Sequence, residues 1–139
     1  MNRTLSPEAL IPHRGKALFL RRVLRHEAES IDCVGVIPGT SPFVREGRAP
    51  AFVGLELAAQ AAAALQALEG SDEGLLTPRS GYLVGVREAR FTSAWIPAEC
   101  EIHARVRRTG RAGPLAVHDV LVLVAGSECV AGVISTYAR

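Results

Sequence analysis

One stretch of the chain, residues 50–68, is apolar at almost every position and predicts a single long helix. Alanine and leucine dominate it, a proline stands at its start, and Gly70 follows its end. Because its apolar side chains run around nearly the whole circumference, we expect the helix to be buried by surrounding structure. Glu56, Gln60 and Gln66 interrupt the stretch, so we expect no membrane span.

Strand-like patterns flank this helix on both sides. Before the helix, Ser6 and Pro7 suit the start of a short helical turn that Pro12 ends. Helical spacing fits residues 17–27 almost as well as a strand does. The predicted strands cover residues 17–27, 30–37, 81–95, 101–107, 115–124 and 129–137, with loops or turns at 40–49, 71–79, 109–114 and 126–127.

Strands gathered around one helix indicate the α+β class. A curved antiparallel sheet wrapped around one long central helix is the hotdog fold, and we predict it for residues 1–139 as a single domain. One sheet layer cannot cover both sides and both edges of such a helix. Edge-to-edge pairing would remove exposed strand edges, so we predict a homodimer or a higher oligomer of dimers.

Composition narrows the range of functions. The chain has 139 residues, of which 48% are hydrophobic and 22% charged, which is typical of a folded domain and excludes disorder. A net charge of +2 and only 5% aromatic residues give no reason to expect a nucleic-acid partner. Cys33, Cys100 and Cys129 form no CxxC pair, which favours free thiols in a reducing cytoplasm. No signal peptide is visible, and no motif implies a metal or another cofactor.

Glu56 is the most informative single residue, because it places a carboxyl group in the predicted buried helix. Burial raises the pKa of a carboxyl group, although the positive start of a helix lowers it. A raised carboxyl pKa is what a general acid needs at neutral pH. The alternative is a solvent-facing stripe shared with Gln60, and a spacing of four residues fits both interpretations.

Histidines are the other candidates for proton transfer. His13 precedes the first predicted strand, and its sequence context fits a base, a phosphate contact or a structural hydrogen-bonding group. His26 lies among charged residues and His103 on the polar face of its strand, so both are expected to be exposed. His118 lies within an apolar strand and is expected to be packed and hydrogen-bonded.

Two segments together resemble one enzyme family. Residues 11–23 read IPHRGKALFLRRV and resemble the "LPHRxPxLLxDRV" opening of hotdog 3-hydroxyacyl-[acyl-carrier-protein] dehydratases. Residues 50–60 read PAFVGLELAAQ and resemble the "PGVLxxEAxAQ" central helix of that family. Residues 41–43, SPF, and residues 52–60 look closest to a branch associated with aryl-polyene biosynthesis, in which "SPF" and "WVGxELMAQ" occur.

The resemblance implies an activity and a set of site residues. The activity is dehydration of a (3R)-hydroxyacyl thioester on acyl carrier protein to the trans-2-enoyl thioester, with the acyl chain in a tunnel along the helix at the dimer interface. Glu56 falls on the catalytic acid, and backbone N–H groups near Val53 and Gly54 would stabilise the thioester oxygen. The other implied substrate or carrier contacts are Gln60, Phe43, Arg14, Arg45 and Arg48.

One departure from the family pattern concerns the base. The family carries its catalytic histidine in a "GHFPG" loop, and that register falls on Pro42 here. His13 is the most plausible substitute. Two other classes remain open: a non-catalytic subunit that binds acyl chains or carrier protein, and a hotdog acyl thioesterase, against which the opening motif argues.

Overall fold

The computed structural model describes residues 6–70 and 81–138, so the predicted loop at 71–79 lies outside the described part of the chain. Within it, one long helix packs on a six-stranded antiparallel sheet, which confirms the predicted architecture. In chain order the elements are α1 (Pro7–Leu10), β1 (Leu20–His26), β2 (Ser30–Gly35), β3 (Arg48–Pro50), α2 (Gly54–Gly70), β4 (Gly81–Phe91), β5 (Trp95–Pro97), β6 (Ile102–Ala112), β7 (Leu115–Val124) and β8 (Ser127–Ala138).

Strand order places β4 at one edge of the large sheet and β1 at the other. The order is β1-β2-β6-β7-β8-β4, and each neighbouring pair is antiparallel. Ile102, Ala104 and Val106 of β6 face the helix and are buried. The alternation predicted for this strand is therefore confirmed, and it fixes which face of the sheet meets the helix.

The apolar stretch is the core of the domain. The segment Ala51–Glu69 is long and apolar enough to cross a membrane, with a mean hydropathy of 1.4. However, 83% of its most apolar stretch is buried inside the fold. Two glycines let the start of α2 approach the sheet. A Cβ atom on Gly35 would lie 2.5 Å from Leu57 Cδ1, and one on Gly54 would lie 2.8 Å from Ile96 Cδ1.

A small second sheet holds the start of α2, and the sequence did not predict it. β3 lies at the end of the predicted loop 40–49, and β5 at the end of the predicted strand 81–95. Pro50 pairs with Trp95, and the Ala51 N–H donates to the Ala94 carbonyl at 2.9 Å. Three-residue strands are too short to show a periodic pattern. A 3₁₀ turn, Ala51–Val53, then leads into α2.

Other predicted boundaries are wrong as well, most clearly those of β1 and β6. β1 begins at Leu20, because Gly15–Ala17 forms a 3₁₀ turn where the strand was predicted to start. β6 continues to Ala112 through residues predicted as a turn, because a register shift after Arg108 keeps the strand paired with β7.

His118 of β7 departs from its prediction in one respect. It is buried as expected, but neither ring nitrogen has a hydrogen-bond partner among the residues that the structure describes. Burial, followed by the charge of the neighbouring Arg108, lowers the pKa of His118 to about 4. The ring is therefore neutral at pH 7 and packs as an apolar group.

Candidate active site

Glu56 and His13 lie on separate elements and meet in the folded chain. Gln60, one helical turn beyond Glu56, bonds to Ala17, which lies 43 positions earlier and close to His13 in the sequence. The Nε2 atom of His13 lies 3.4 Å from Oε1 of Glu56. Glu56 belongs to the first turn of α2, and His13 to the segment between α1 and the Gly15–Ala17 turn. The structure thus brings together the two residues that the sequence proposed as acid and base.

The exposure of the pair differs from the expectation of a deeply buried acid. In the single chain 41% of the Glu56 side chain is exposed, against 19% for His13. The carboxyl group lines an open cavity instead of packing inside the core. The Nδ1 atom of His13 is buried and has no hydrogen-bond partner, so only the Nε2 side of the ring is engaged within the described residues.

Gln60 fastens the histidine-bearing segment to the helix. Its Oε1 accepts the backbone N–H groups of Phe19 and Leu20 at 2.9 and 3.0 Å. Its Nε2 donates to the Ala17 carbonyl at 2.6 Å and lies 3.5 Å from Glu56 Oε1. The side chain is fully buried, which excludes the solvent-facing stripe for Gln60. All its polar atoms bind protein groups, so it positions the site and offers no free amide to a substrate.

Arg14 holds the loop that carries His13. Its Nη1 donates to the carbonyls of Ile11 and His13, each at 2.7 Å, and its Nη2 donates to the Glu8 carbonyl at 3.0 Å. These three bonds orient the loop between α1 and β1. The guanidinium group predicted to contact substrate or carrier is thus used by the backbone of its own loop.

A cavity of about 560 Å³ adjoins the carboxyl group. Phe43, Phe52 and Val53 give it apolar walls, and Glu56 supplies its acidic group. Phe43 and Phe52 are half exposed, so their rings are available to an acyl chain. A mostly apolar cavity with few polar groups is typical of a small-molecule site.

The loop that should carry the family's histidine also lines this cavity. Ser41, Pro42 and Phe43 all contribute to its wall. Pro42 thus lies in the expected place but has no group that accepts a proton. Ser41 is buried, and its Oγ accepts the Phe43 N–H at 3.3 Å.

Gly54 differs from its predicted role. Its N–H donates to the carbonyls of Ala51 and Phe52 in the 3₁₀ turn. Its Cα faces the core beside Ile96, so the residue presents no free donor to the cavity. Val53, one residue earlier, does line the cavity, which leaves it as the candidate contact of that pair.

Sequence reasoning missed Lys16, which also lines the cavity. It stands where the family opening has proline, and it is the only lysine in the sequence. That departure from the motif was the signal that could have identified it. The remaining histidines lie elsewhere: His26 is exposed as predicted, whereas His103 is partly buried. Within residues 6–70 and 81–138, no group of three or more His, Cys, Asp or Glu side chains is arranged to hold a metal ion.

Comparison with known proteins identifies one matching family. The family model described as "ApeP-like: ApeP dehydratase" matches residues 5–139. No curated protein sequence matches the chain significantly.

Solved structures share the fold. A chain of the dehydratase heterocomplex ApeI:P from Xenorhabdus doucetiae superposes with a TM-score of 0.86 and 19% identity, over 99% of this chain and 93% of that one. A hypothetical thioesterase with coenzyme A from Streptococcus pneumoniae TIGR4 superposes with a TM-score of 0.58 and 10% identity, over 84% of each chain. A mutant thioesterase from Pseudomonas aeruginosa superposes with a TM-score of 0.56 and 12% identity, over 86% of this chain and 80% of that one. The likeness confirms the predicted hotdog fold.

Proposed function

The chain belongs to the ApeP-like dehydratase family, and from this premise we propose that it converts a (3R)-3-hydroxyacyl thioester on acyl carrier protein into the trans-2-enoyl thioester. The observation that carries the proposal is the contact of 3.4 Å between His13 Nε2 and Glu56 Oε1 on the wall of an apolar cavity. Loss of water from a 3-hydroxyacyl group needs one base and one acid on the same substrate. The (3R) configuration and the carrier protein follow the resemblance of the two sequence motifs.

In the proposed reaction His13 is the base and Glu56 is the acid. His13 accepts the proton from C2 at Nε2, and Glu56 delivers a proton, directly or through a water, to the C3 hydroxyl group. The C2–H and C3–O bonds break, the C2–C3 double bond forms, and water leaves. The imidazolium then returns its proton from Nε2 to Oε1 across the contact of 3.4 Å, which restores both residues.

Charge that develops on the thioester oxygen requires a donor near the start of α2. Gly54 is excluded because its N–H is already bonded. We therefore assign the role to the backbone at Val53, which lines the cavity beside the positive end of the helix. The partial charge there favours the enolate-like transition state over the ground state.

We further propose that a second hotdog subunit, identical or related, pairs with β4. This strand is one of the two edges of the sheet, and Tyr82, Val84 and Val86 expose apolar side chains on it. Leu83 of the same strand lines the cavity, so a paired subunit would cover the opening beside Glu56. The similarity to a chain of the ApeI:P heterocomplex supports a related partner as well as a second copy.

We place the reaction in polyene biosynthesis in the cytoplasm. The family match and the SPF and helix motifs support the pathway. The free thiols of Cys33, Cys100 and Cys129 suit a reducing compartment.

The test is to incubate the chain, alone and with a candidate hotdog partner, with a 3-hydroxyacyl carrier protein and to follow the carrier by mass spectrometry. The enoyl product supports dehydration. Free acid identifies a thioesterase, and binding without any change in mass identifies a non-catalytic subunit. Either of these last two results overturns the proposal.

A further inference from the structure

Lys16 places a positive charge on the cavity wall. Among the described residues that line the cavity, Glu56 supplies the one carboxyl group and Lys16 the one ammonium group. Lys16 is exposed. Within the described residues its ammonium group makes no ion pair and no hydrogen bond, and the ion pairs there have only arginine or histidine as the cation. The charge is therefore available to a ligand.

The other cations near the site are already occupied. Arg14 donates to three backbone carbonyls of its own loop. Arg45 donates to the carbonyls of Pro42 and Val44. Arg48 stacks over the Trp95 ring at 4.1 Å. These contacts position loops, and they distinguish the three arginines from Lys16.

The position of Lys16 gives the cavity two chemically different sides, one charged and one aromatic. Gln60 follows Glu56 by one helical turn, and its amide binds the carbonyl of Ala17, the residue after Lys16. Phe52 precedes Glu56 by one turn. Lys16 therefore lies on the Gln60 side of Glu56, and Phe52 lies on the opposite side, towards the start of the helix.

From this arrangement we infer that Lys16 binds the phosphate of the phosphopantetheine arm and sets the direction of the substrate across Glu56. The inference rests on the proposed function, because it needs a thioester substrate in this cavity. The anionic arm lies on the Lys16 side, and the acyl chain lies against Phe43 and Phe52. Carrier protein and coenzyme A share this phosphate, so the chemistry alone admits both sources.

The test measures binding separately from turnover. Calorimetry compares coenzyme A with pantetheine, which lacks the phosphate groups and the nucleotide of coenzyme A, on the wild type, Lys16→Glu, Lys16→Arg and the control Arg25→Glu. Arg25 is exposed on β1 and pairs with Glu27 at 2.5 Å, so its substitution makes the same charge change away from the cavity wall. We expect Lys16→Glu to weaken the binding of coenzyme A by at least about fivefold, and we expect this loss of affinity to shrink at high salt. Pantetheine affinity should not change, and Lys16→Arg should retain the wild-type affinity.

Equal affinities of wild type and Lys16→Glu for coenzyme A overturn the inference, and so does an equal loss for coenzyme A and pantetheine. Kinetics then identify the source of the phosphate. Lys16→Glu should raise KM for carrier-linked and coenzyme-A-linked substrates by a larger factor than KM for the N-acetylcysteamine thioester, which has no phosphate, whereas the control Arg25→Glu should leave all three KM values unchanged. A KM effect confined to the carrier-linked substrate would place Lys16 on the carrier surface and overturn the inference. Failure of the proposed function gives a different result, namely no enoyl product from any thioester with the wild type.

Discussion

At the scale of single residues, the chemistry depends on Glu56 and His13, which occupy different elements. Glu56→Gln keeps the shape of the side chain but removes its transferable proton. We expect it to lower kcat by about 10²–10⁴, the usual contribution of a positioned acid, without changing the thermal unfolding temperature. The measurement is enoyl formation by mass spectrometry beside a thermal melt. Wild-type turnover in this variant would remove Glu56 from the mechanism.

His13→Ala tests the base at the same scale. We expect at least about a tenfold loss of kcat, because water at the vacated position is a weaker and less well-placed base. His26→Ala is the matched control, since His26 is exposed at the end of β1. If both histidine variants retain wild-type turnover, His13 is structural, and the base comes from elsewhere.

The sequence predicted these two residues and missed Lys16 for a physical reason. Glu56 interrupts an apolar helix, and His13 stands in a motif, so each departs from a regular background. Lys16 stands in a short polar turn, where a charged residue is ordinary. Its significance depends on the path of the chain, which brings that turn against the cavity; the departure from the family motif marks the position in the sequence but does not show that it meets the cavity.

At the scale of elements, the join between β1 and α2 depends on a single buried amide. Gln60→Leu would leave the N–H groups of Phe19 and Leu20 and the Ala17 carbonyl without partners. We expect a loss of roughly 3 kcal/mol in the free energy of unfolding, measured by urea denaturation. Gln66→Leu is the control, because Gln66 is buried in the same helix and its side chain makes no hydrogen bond within the described residues. An equal loss of unfolding free energy in both variants would contradict the special role of Gln60.

The elements also show where pattern reading succeeds. β7 has the predicted bounds, residues 115–124, because turn residues stand on both sides of a long apolar run, Gly113 and Pro114 before it and Gly126 after it. β6 was cut short because Thr109, Gly110 and Arg111 suit a turn. Pairing with β7 keeps them in the strand, and pairing is a tertiary interaction that local propensity does not contain. The same limit applies to β3 and β5, each three residues long.

At the scale of the whole molecule, the buried His118 makes stability depend on pH. Its pKa is about 4 in the folded chain, lowered by burial and then by Arg108, against 6.5 when unfolded. As the pH falls from 6.5 towards 4, the unfolded chain binds a proton that the folded chain excludes, so stability is lost across this window. The loss attributable to this group is roughly 3 kcal/mol.

His118→Leu isolates this contribution. Since both ring nitrogens lack partners in the described part of the chain, the substitution breaks no hydrogen bond there and should leave stability near neutral pH little changed or slightly higher. Urea denaturation between pH 7 and 4 should show a shallower loss than in the wild type. An identical pH profile in the two proteins would show that His118 is not the responsible group.

The assembly of the whole molecule can be tested by comparing the two edges of its sheet. Val86 on β4 and Leu24 on β1 are both exposed apolar residues, at 43% and 49%, on opposite edge strands. If a second subunit pairs with β4, Val86→Asp places a charge in the contact and separates the subunits, whereas Leu24→Asp leaves them associated. Light scattering after size exclusion measures this on the chain alone and on its mixture with a hotdog partner. Because Leu83 of β4 lines the cavity, activity should fall together with association in Val86→Asp. Dissociation by Leu24→Asp, or an intact assembly in Val86→Asp, would contradict pairing through β4.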